Sequence, residues 1–248
     1  METGATSLTT GAGAGARACV FDAGPAGMAC AELFCDVADT SMFPAESEAV
    51  QGAVMARRRE FATVRACARL ALRQLGLPAS PIFRDADGAP RWPAGVVGSM
   101  THCPGYRAAV VARAGDLCSV GLDAEPHAAL PDDVREFVLR DEERARLSSW
   151  MQLRPHLHWD RIVFCAKEAV YKAWFPLTRR WLEFADVSVS LHVNGSFRAQ
   201  VSAPHPPIAG VDLQSFGGQW RVDRGLIVAA TWLRRHRTQQ TSTLVAAA

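Results

Sequence analysis

The chain has 248 residues, 49% of them hydrophobic and 21% charged, enough to bury one large core or two modest ones and too apolar for a disordered chain. Twenty-seven basic against twenty-five acidic residues leave a formal charge of +2, which excludes nucleic-acid binding by bulk electrostatics and confines any anion site to a local cluster. Seven cysteines, odd in number and without a CxxC pair, exclude a disulfide framework and a zinc knuckle and suit the reducing cytoplasm.

In chain order, residues 1–15 lack the basic start and apolar core of a signal peptide and read as a flexible leader. No apolar run approaches the roughly 18 residues that span a bilayer, so a cytoplasmic protein without membrane partners is expected. Phe61, Val64, Ala68, Ala71, Leu72 and Leu75 recur at helical spacing and predict a helix over 53–75, stopped by Gly76 and Pro78. Beside that stripe Arg58, Arg65, Arg69 and Arg73 share about a sixth of a turn, either a solvated face or an anion site. Residues 81–99, rich in Pro, Gly and Asp, read as a loop with turns. Two apolar runs around Gly115 and Asp116 then predict a β-hairpin whose second strand ends in GLDAE, residues 121–125. A helix is predicted over 131–150, starting at Pro131 and Asp132 and burying Val134, Phe137, Val138 and Leu147, and a stronger one over 159–175, ended by Pro176. Strands follow as VSVSLHV, an Asn-Gly turn, FRAQVSA and GLIVAATWL. Residues 237–248 read as a frayed tail. With PHAALP at 126–131 as the joint, residues 16–125 and 126–236 each combine helices with an antiparallel sheet, an α+β class without internal sequence repeat.

Asp123 and Glu125 are two apart on a strand, so both carboxylates emerge on one face, as a solvated strand end or as a cation site. On the 159–175 helix Ile162, Cys165, Ala166, Ala169 and Ala173 form a narrow apolar stripe, opposite Lys167, Glu168, Tyr171 and Lys172. Glu168 and Lys172 at i and i+4 make a surface pair worth about 0.3–0.5 kcal/mol, which accounts for one lysine and not for the other. Lys167 and Lys172 are the only lysines in the chain; the other twenty-five basic residues are arginine. Lysine is a compact charge that meets phosphate as a point, where arginine presents a fork. Magnesium is usually held by one or two carboxylates together with phosphate oxygens. Asp123, Glu125 and Glu168 would supply such ligands, with Lys167 and Lys172 neutralising the phosphates. Upstream, Gly98, Ser99, Thr101 and His102 make a loop suited to receiving phosphate oxygens, although a single His is more often structural.

The succession RRREFATVRACARLAL, GAPRWPAGVVGSMTHCPGYRAAVV, SVGLDAE and WDRIVFCAKEAVYKAWFP resembles the 4′-phosphopantetheinyl transferases of the large, Sfp-like and EntD-like type, over roughly residues 50–190. It is most similar to actinobacterial members serving polyketide and non-ribosomal peptide synthases. GxDxE followed about forty residues later by AKExxxK is specific only as a combination. The resemblance implies a pseudo-twofold monomer of two similar α+β subdomains with coenzyme A between them. It implies transfer of the phosphopantetheine arm to a serine of acyl or peptidyl carrier proteins, including those of fatty acid synthases, with release of 3′,5′-ADP. Magnesium, with manganese as the alternative, would sit on Asp123, Glu125 and Glu168. Lys167 and Lys172 would contact the diphosphate; Arg57, Arg65, Arg84 and His102 would grip the 3′-phosphate and its surroundings, with Arg91 the substitute for Arg84. Thr101 and Cys165 stand where relatives commonly have serine. Glu168 or Lys167 would take the serine proton. Because carrier proteins are acidic around that serine, Arg144, Arg146 and Arg154, near Trp150 and Met151, are the expected docking surface. Two other readings use the same residues: a magnesium-dependent nucleotide hydrolase or nucleotidyl transferase, and an Arg-rich nucleic-acid binder, against which the near-neutral charge and the carboxylate trio argue.

Overall fold

The computed structural model describes residue 19, residues 24–38 and residues 42–235; the expected leader at 1–15 and tail at 237–248 lie outside the described residues. The elements run β1 (Met28–Leu33), α1 (Pro44–Glu48), α2 (Met55–Gln74), β2 (Phe83–Arg84), β3 (Pro90–Arg91), β4 (Val96–Cys103), β5 (Tyr106–Arg113) and β6 (Ser119–Pro126). There follow α3 (Asp132–Val138), α4 (Asp141–Leu153), α5 (Trp159–Thr178), β7 (Val187–Leu191), β8 (Ser196–Val201), β9 (Ser215–Asp223) and β10 (Leu226–Leu233). The strands form a sheet of order β1-β5-β4, a larger one of order β6-β10-β9-β8-β7 and the two-residue ladder β2-β3, all antiparallel. The class is α+β, as the sequence indicates.

Each long helix covers one sheet because its small residues allow close approach. Cys67, Ala68, Ala71 and Leu72 of α2 pack on Ala29, Ala31, Ala109 and Val111, while Ile162, Ala166, Ala169 and Ala173 of α5 pack on Val189, Phe197, Ala199 and Ile227. A third cluster lies between the sheets: Ala108, Val110 and Ala112 of β5 against Leu122 and Ala124 of β6 and Val228 and Ala230 of β10. The run AAVVA in β5 is therefore apolar on both faces because both are covered.

Several expectations need correction. The turn at Gly115 and Asp116 exists, with Asp116 N–H donating to the Arg113 carbonyl at 2.9 Å, but it joins no hairpin. β5 pairs with β1 and β4, whereas β6, expected in the first half, pairs with β10 in the register Asp123 opposite Ala229. Residues 96–103, read as mostly loop, form β4. Its Ser99 and Thr101 hydroxyls accept the N–H groups of Leu122 and Ala124 at 3.0 and 3.1 Å, so two side chains bind β4 to β6 where no backbone ladder runs. The expected 131–150 helix is two helices, because Leu139 is extended (φ −89°, ψ 130°) and Arg140 caps α4. Pro176 does not end α5, which runs on to Arg179 in the left-handed region at φ 54°; a proline in the last turn forfeits a single ladder bond.

Candidate active site

Strand β6 and helix α5 meet at Gly121. A Cβ there would fall 1.8 Å from the Ala169 carbonyl oxygen and 2.9 Å from Ala173 N, so the glycine of GLDAE and the alanines of α5 are two halves of one close contact. That contact brings Asp123 under the helix. Its Oδ1 accepts from Lys172 Nζ at 2.6 Å and from Thr101 Oγ1 at 3.2 Å. Only 5% of Asp123 is exposed, and its Oδ2 is buried without a hydrogen-bond partner. Burial works against the charged form of Lys172, yet Asp123 holds its pKa above the ordinary lysine value.

Glu125 Oε2 accepts from Arg161 Nη1 at 2.9 Å, and the same guanidinium donates to the Ala128 and Ala129 carbonyls. Burial and the charge on Asp123 raise the Glu125 pKa. Glu168 makes no hydrogen bond or ion pair within the described residues; burial, then Asp123, push its pKa up to about 7 while Lys172 opposes the shift. Cys165 lies fully buried below, its thiol 3.8 Å from the Ile227 carbonyl oxygen and pushed up by burial.

Among the described residues no three His, Cys, Asp or Glu side chains are gathered as a metal-ligand set. The charges of Asp123 and Glu125 both act on Glu168, and Lys172 and Arg161 compensate two of the expected three carboxylates. The donors nevertheless fit a hard divalent cation. They are all oxygen, and Asp123 Oδ2 is a buried acceptor left without a hydrogen-bond partner.

Beside this cluster opens a pocket of about 280 Å³ walled by α2, the β2-β3 turn, β4 and the end of α5. Arg57, Arg65, Arg84, His102 and Lys172 all line it, together with Tyr171 and Phe175. His102 Nε2 lies 3.3 Å from both Arg57 Nη1 and Glu60 Oε1. Burial, and after it the charges of Arg57, Lys172 and Arg107, lower the His102 pKa to about 4. Arg84 reaches only the Gly88 carbonyl, and Arg91, on the opposite strand, is not among the lining residues.

Two assigned residues do other work. Arg65 is buried, donates to the Ile82 and Phe61 carbonyls and lies 3.9 Å from Glu46 Oε1; desolvation lowers its pKa to about 9. The arginine face of α2 is thus neither solvated nor an anion site at its centre, since Arg69 also pairs with buried Glu46. Thr101 donates its hydroxyl to Asp123 Oδ1 and accepts the Ala124 N–H, so here it supports the carboxylate.

Lys167 is not brought to the cluster at all. Positions five apart on a helix differ by about 140°, and its ammonium, 2% exposed, is turned to Glu143 Oε2 at 2.7 Å and to the Val138 and Phe184 carbonyls at 2.8 and 3.1 Å. Burial lowers its pKa, with Glu143 opposing. The expected docking group is also dispersed. Trp150 is core, Arg144 donates to the Glu136 and Leu139 carbonyls and Arg146 to Ser190 Oγ, while Met151 is exposed. Sequence reasoning missed Arg161, Glu60 and Glu143. Of these, only Glu143 carried a local signal, a glutamate three residues after a helix cap.

Comparison with known proteins finds matches over most of the chain. Residues 45–112 match the family described as 4′-phosphopantetheinyl transferase N-terminal domain, and residues 119–226 match the 4′-phosphopantetheinyl transferase superfamily. The chain is 46% identical over 208 residues to 4′-phosphopantetheinyl transferase PptT of Mycobacterium tuberculosis, covering 82% of this chain and 91% of the relative. It is 48% identical over 190 residues to Svp of Streptomyces mobaraensis, covering 76% and 77%, and 44% identical over 216 residues to Npt of Nocardia iowensis, covering 83% and 96%. The two matched segments divide between β5 and β6, where the sheets also divide.

Proposed function

The chain belongs to the 4′-phosphopantetheinyl transferase superfamily, and from that membership we propose how its residues divide the work of moving phosphopantetheine from coenzyme A to a carrier-protein serine. The transfer itself follows from the family and from relatives that carry the transferase name along most of their length; none of them supports the nucleotide hydrolase or nucleotidyl transferase alternative. Coenzyme A is the donor, and carrier proteins are the acceptors. The finer reading adds a divalent metal, magnesium or manganese, and a cytoplasmic monomer of two α+β subdomains.

In this reading Arg57, Arg84 and His102 bind the nucleotide end of coenzyme A in the pocket, with Arg65 buttressing its wall. Lys172 lies between the pocket and Asp123, so it holds the diphosphate end nearest the carboxylates. Asp123, Glu125 and Glu168 would hold the metal, which when bound offsets negative charge on the diphosphate and on departing 3′,5′-ADP. Arg161 orients Glu125 through one oxygen and leaves the other free. The carrier serine oxygen forms a bond to the phosphorus of the pantetheine phosphate as the bond to the bridging oxygen breaks. The electron pair leaves with 3′,5′-ADP, and the serine proton passes to Glu168, directly or through a bound water.

The observation that carries this division is the convergence of a cationic pocket and an orphaned buried carboxylate oxygen at Lys172. It is tested by intact-protein mass spectrometry of an apo carrier protein incubated with the enzyme, coenzyme A and magnesium. A gain of one phosphopantetheine mass is expected, absent with Asp123→Ala and, with coenzyme A still bound, with Glu168→Gln. Near-normal modification by Glu168→Gln would remove Glu168 as base.

A further inference from the structure

Each half of the molecule buries a helix-cap glutamate, and the two are held in the same way. Glu46 and Glu143 both occupy the third position of a helix, α1 and α4. Each accepts the N–H of its own cap residue, Phe43 at 3.0 Å and Arg140 at 2.8 Å. Each accepts a second backbone N–H from an extended segment, Ile82 at 2.7 Å and Val189 at 2.6 Å. Finally each meets a cation from the long helix that covers its sheet: Arg69 of α2 at 3.0 Å, with Arg65 at 3.9 Å, and Lys167 of α5 at 2.7 Å. The surrounding sequences, PAESE and DEER, are unlike, so the likeness lies in the wiring and not in a repeat.

We infer that Lys167 is the counterpart in α5 of the buried arginines of α2, a positioning residue that with Glu143 locks the helix carrying Glu168, and that it neither takes the serine proton nor touches the diphosphate. An ammonium has three N–H donors, and here all three are used, by Glu143 Oε2, the Val138 carbonyl and the Phe184 carbonyl. Those acceptors come from the end of α3, the start of α4 and the turn before β7. One side chain therefore gathers three segments around α5. Phe137 and Phe184, at the tethered ends, line a recess of about 130 Å³ together with Glu168 and Trp181, so the same tether shapes the wall beside the proposed base. Lys172, on a different side of the helix, keeps the phosphate role.

The inference rests on the transferase reading, and its test separates the two. Steady-state kinetics and coenzyme A binding by calorimetry are measured for Lys167→Met, Glu143→Gln, the mild Glu143→Asp and the double variant Glu143→Leu with Lys167→Met. If Lys167 positions, Glu143→Gln and Lys167→Met lower kcat alike, by about tenfold or more, with the KM and Kd for coenzyme A within about twofold of wild type. Glu143→Asp falls between, and the apolar pair in the double variant restores much of the rate, because a matched apolar pair can replace a buried ion pair. Normal kcat in Glu143→Asp and Glu143→Gln beside an inactive Lys167→Met would overturn the inference, as would a folded but inactive double variant or a Kd that rises in Lys167→Met alone. Wild-type enzyme that modifies no carrier would instead overturn the transferase reading, leaving the double-mutant cycle on melting temperature to test the tether.

Discussion

His102 is the residue whose chemistry is most open to a direct check. Its ring is held neutral by burial and by three neighbouring cations, with a pKa lowered to about 4. In the unfolded chain a histidine titrates near 6.5, so between those values the unfolded state binds the extra proton. Stability therefore falls as pH drops from about 6.5 toward 4 and is unaffected by this group above that window. His102→Gln is expected to flatten the acid side of the melting-temperature profile. A phosphate beside the ring reverses the balance of charge, so the imidazole NMR titration is expected to move upward when coenzyme A is added; a titration that stays put would take His102 out of the nucleotide site. At this scale the sequence was legible where spacing is local. Period-2 spacing put Asp123 and Glu125 on one strand face, helical spacing put Glu168 beside Lys172, and the rarity of lysine singled out Lys172, which the structure pairs with Asp123. Lys167 was misplaced because rarity says that a lysine is needed without saying for what, and its carboxylate partner lies 24 positions upstream on another helix. Arg161 escaped because its partner Glu125 is 36 positions away in sequence.

The join between β6 and α5 decides whether the carboxylates face the helix at all. Gly121 leaves no room for a methyl group, since the nearest atoms are backbone of α5 and cannot rotate aside. Gly121→Ala is expected to cost at least about 3 kcal/mol, at the upper end of overpacking penalties, because a whole helix must shift and not one side chain. Urea unfolding would register the loss as a lower midpoint with an unchanged slope, and an alanine variant as stable as wild type would mean that α5 does not sit where described. The elements themselves were legible when their periodicity was strong: α2, α5, β7, β8 and β10 appear near their expected positions. Others were not. β1 is six residues of MACAEL without alternation, β9 opens with the glycine pair of SFGGQ, and α1 is five residues long. β4 was hidden because a Pro- and Gly-rich neighbourhood reads as loop. Gly98 belongs to the strand for a different reason, since a Cβ there would strike the Val110 carbonyl and the Trp92 ring.

Across the molecule, polar ties supplement the apolar cluster packed between the two sheets, and two of them bear on the pocket. The Ser99 and Thr101 hydroxyls bind β4 to β6, while an Arg179–Asp85 ion pair ties the end of α5 to the β2-β3 turn that carries Arg84. The expectation of two α+β halves did not extend to the sheet to which β6 belongs, because strand pairing over 100 positions leaves no local mark. Asp85 offers a clean probe of the tie. Its Oδ1 accepts the N–H groups of Asp87 and Ala89, shaping the turn, while Oδ2 meets Arg179. Asp85→Asn keeps the first oxygen and discards the charge, so the turn persists and only the link across the pocket weakens. The turn carries Arg84, which lines the pocket and is proposed to bind the nucleotide, and none of the proposed reacting groups, so the KM for coenzyme A is expected to rise about two- to fivefold, the scale of an exposed ion pair, with kcat unchanged. The difference should shrink in high salt, where wild type loses the same attraction to screening. A fall in kcat without a change in KM would instead mean that closing the turn onto α5 sets the geometry of the transfer, and would move Arg179 from the rim of the site into its working parts.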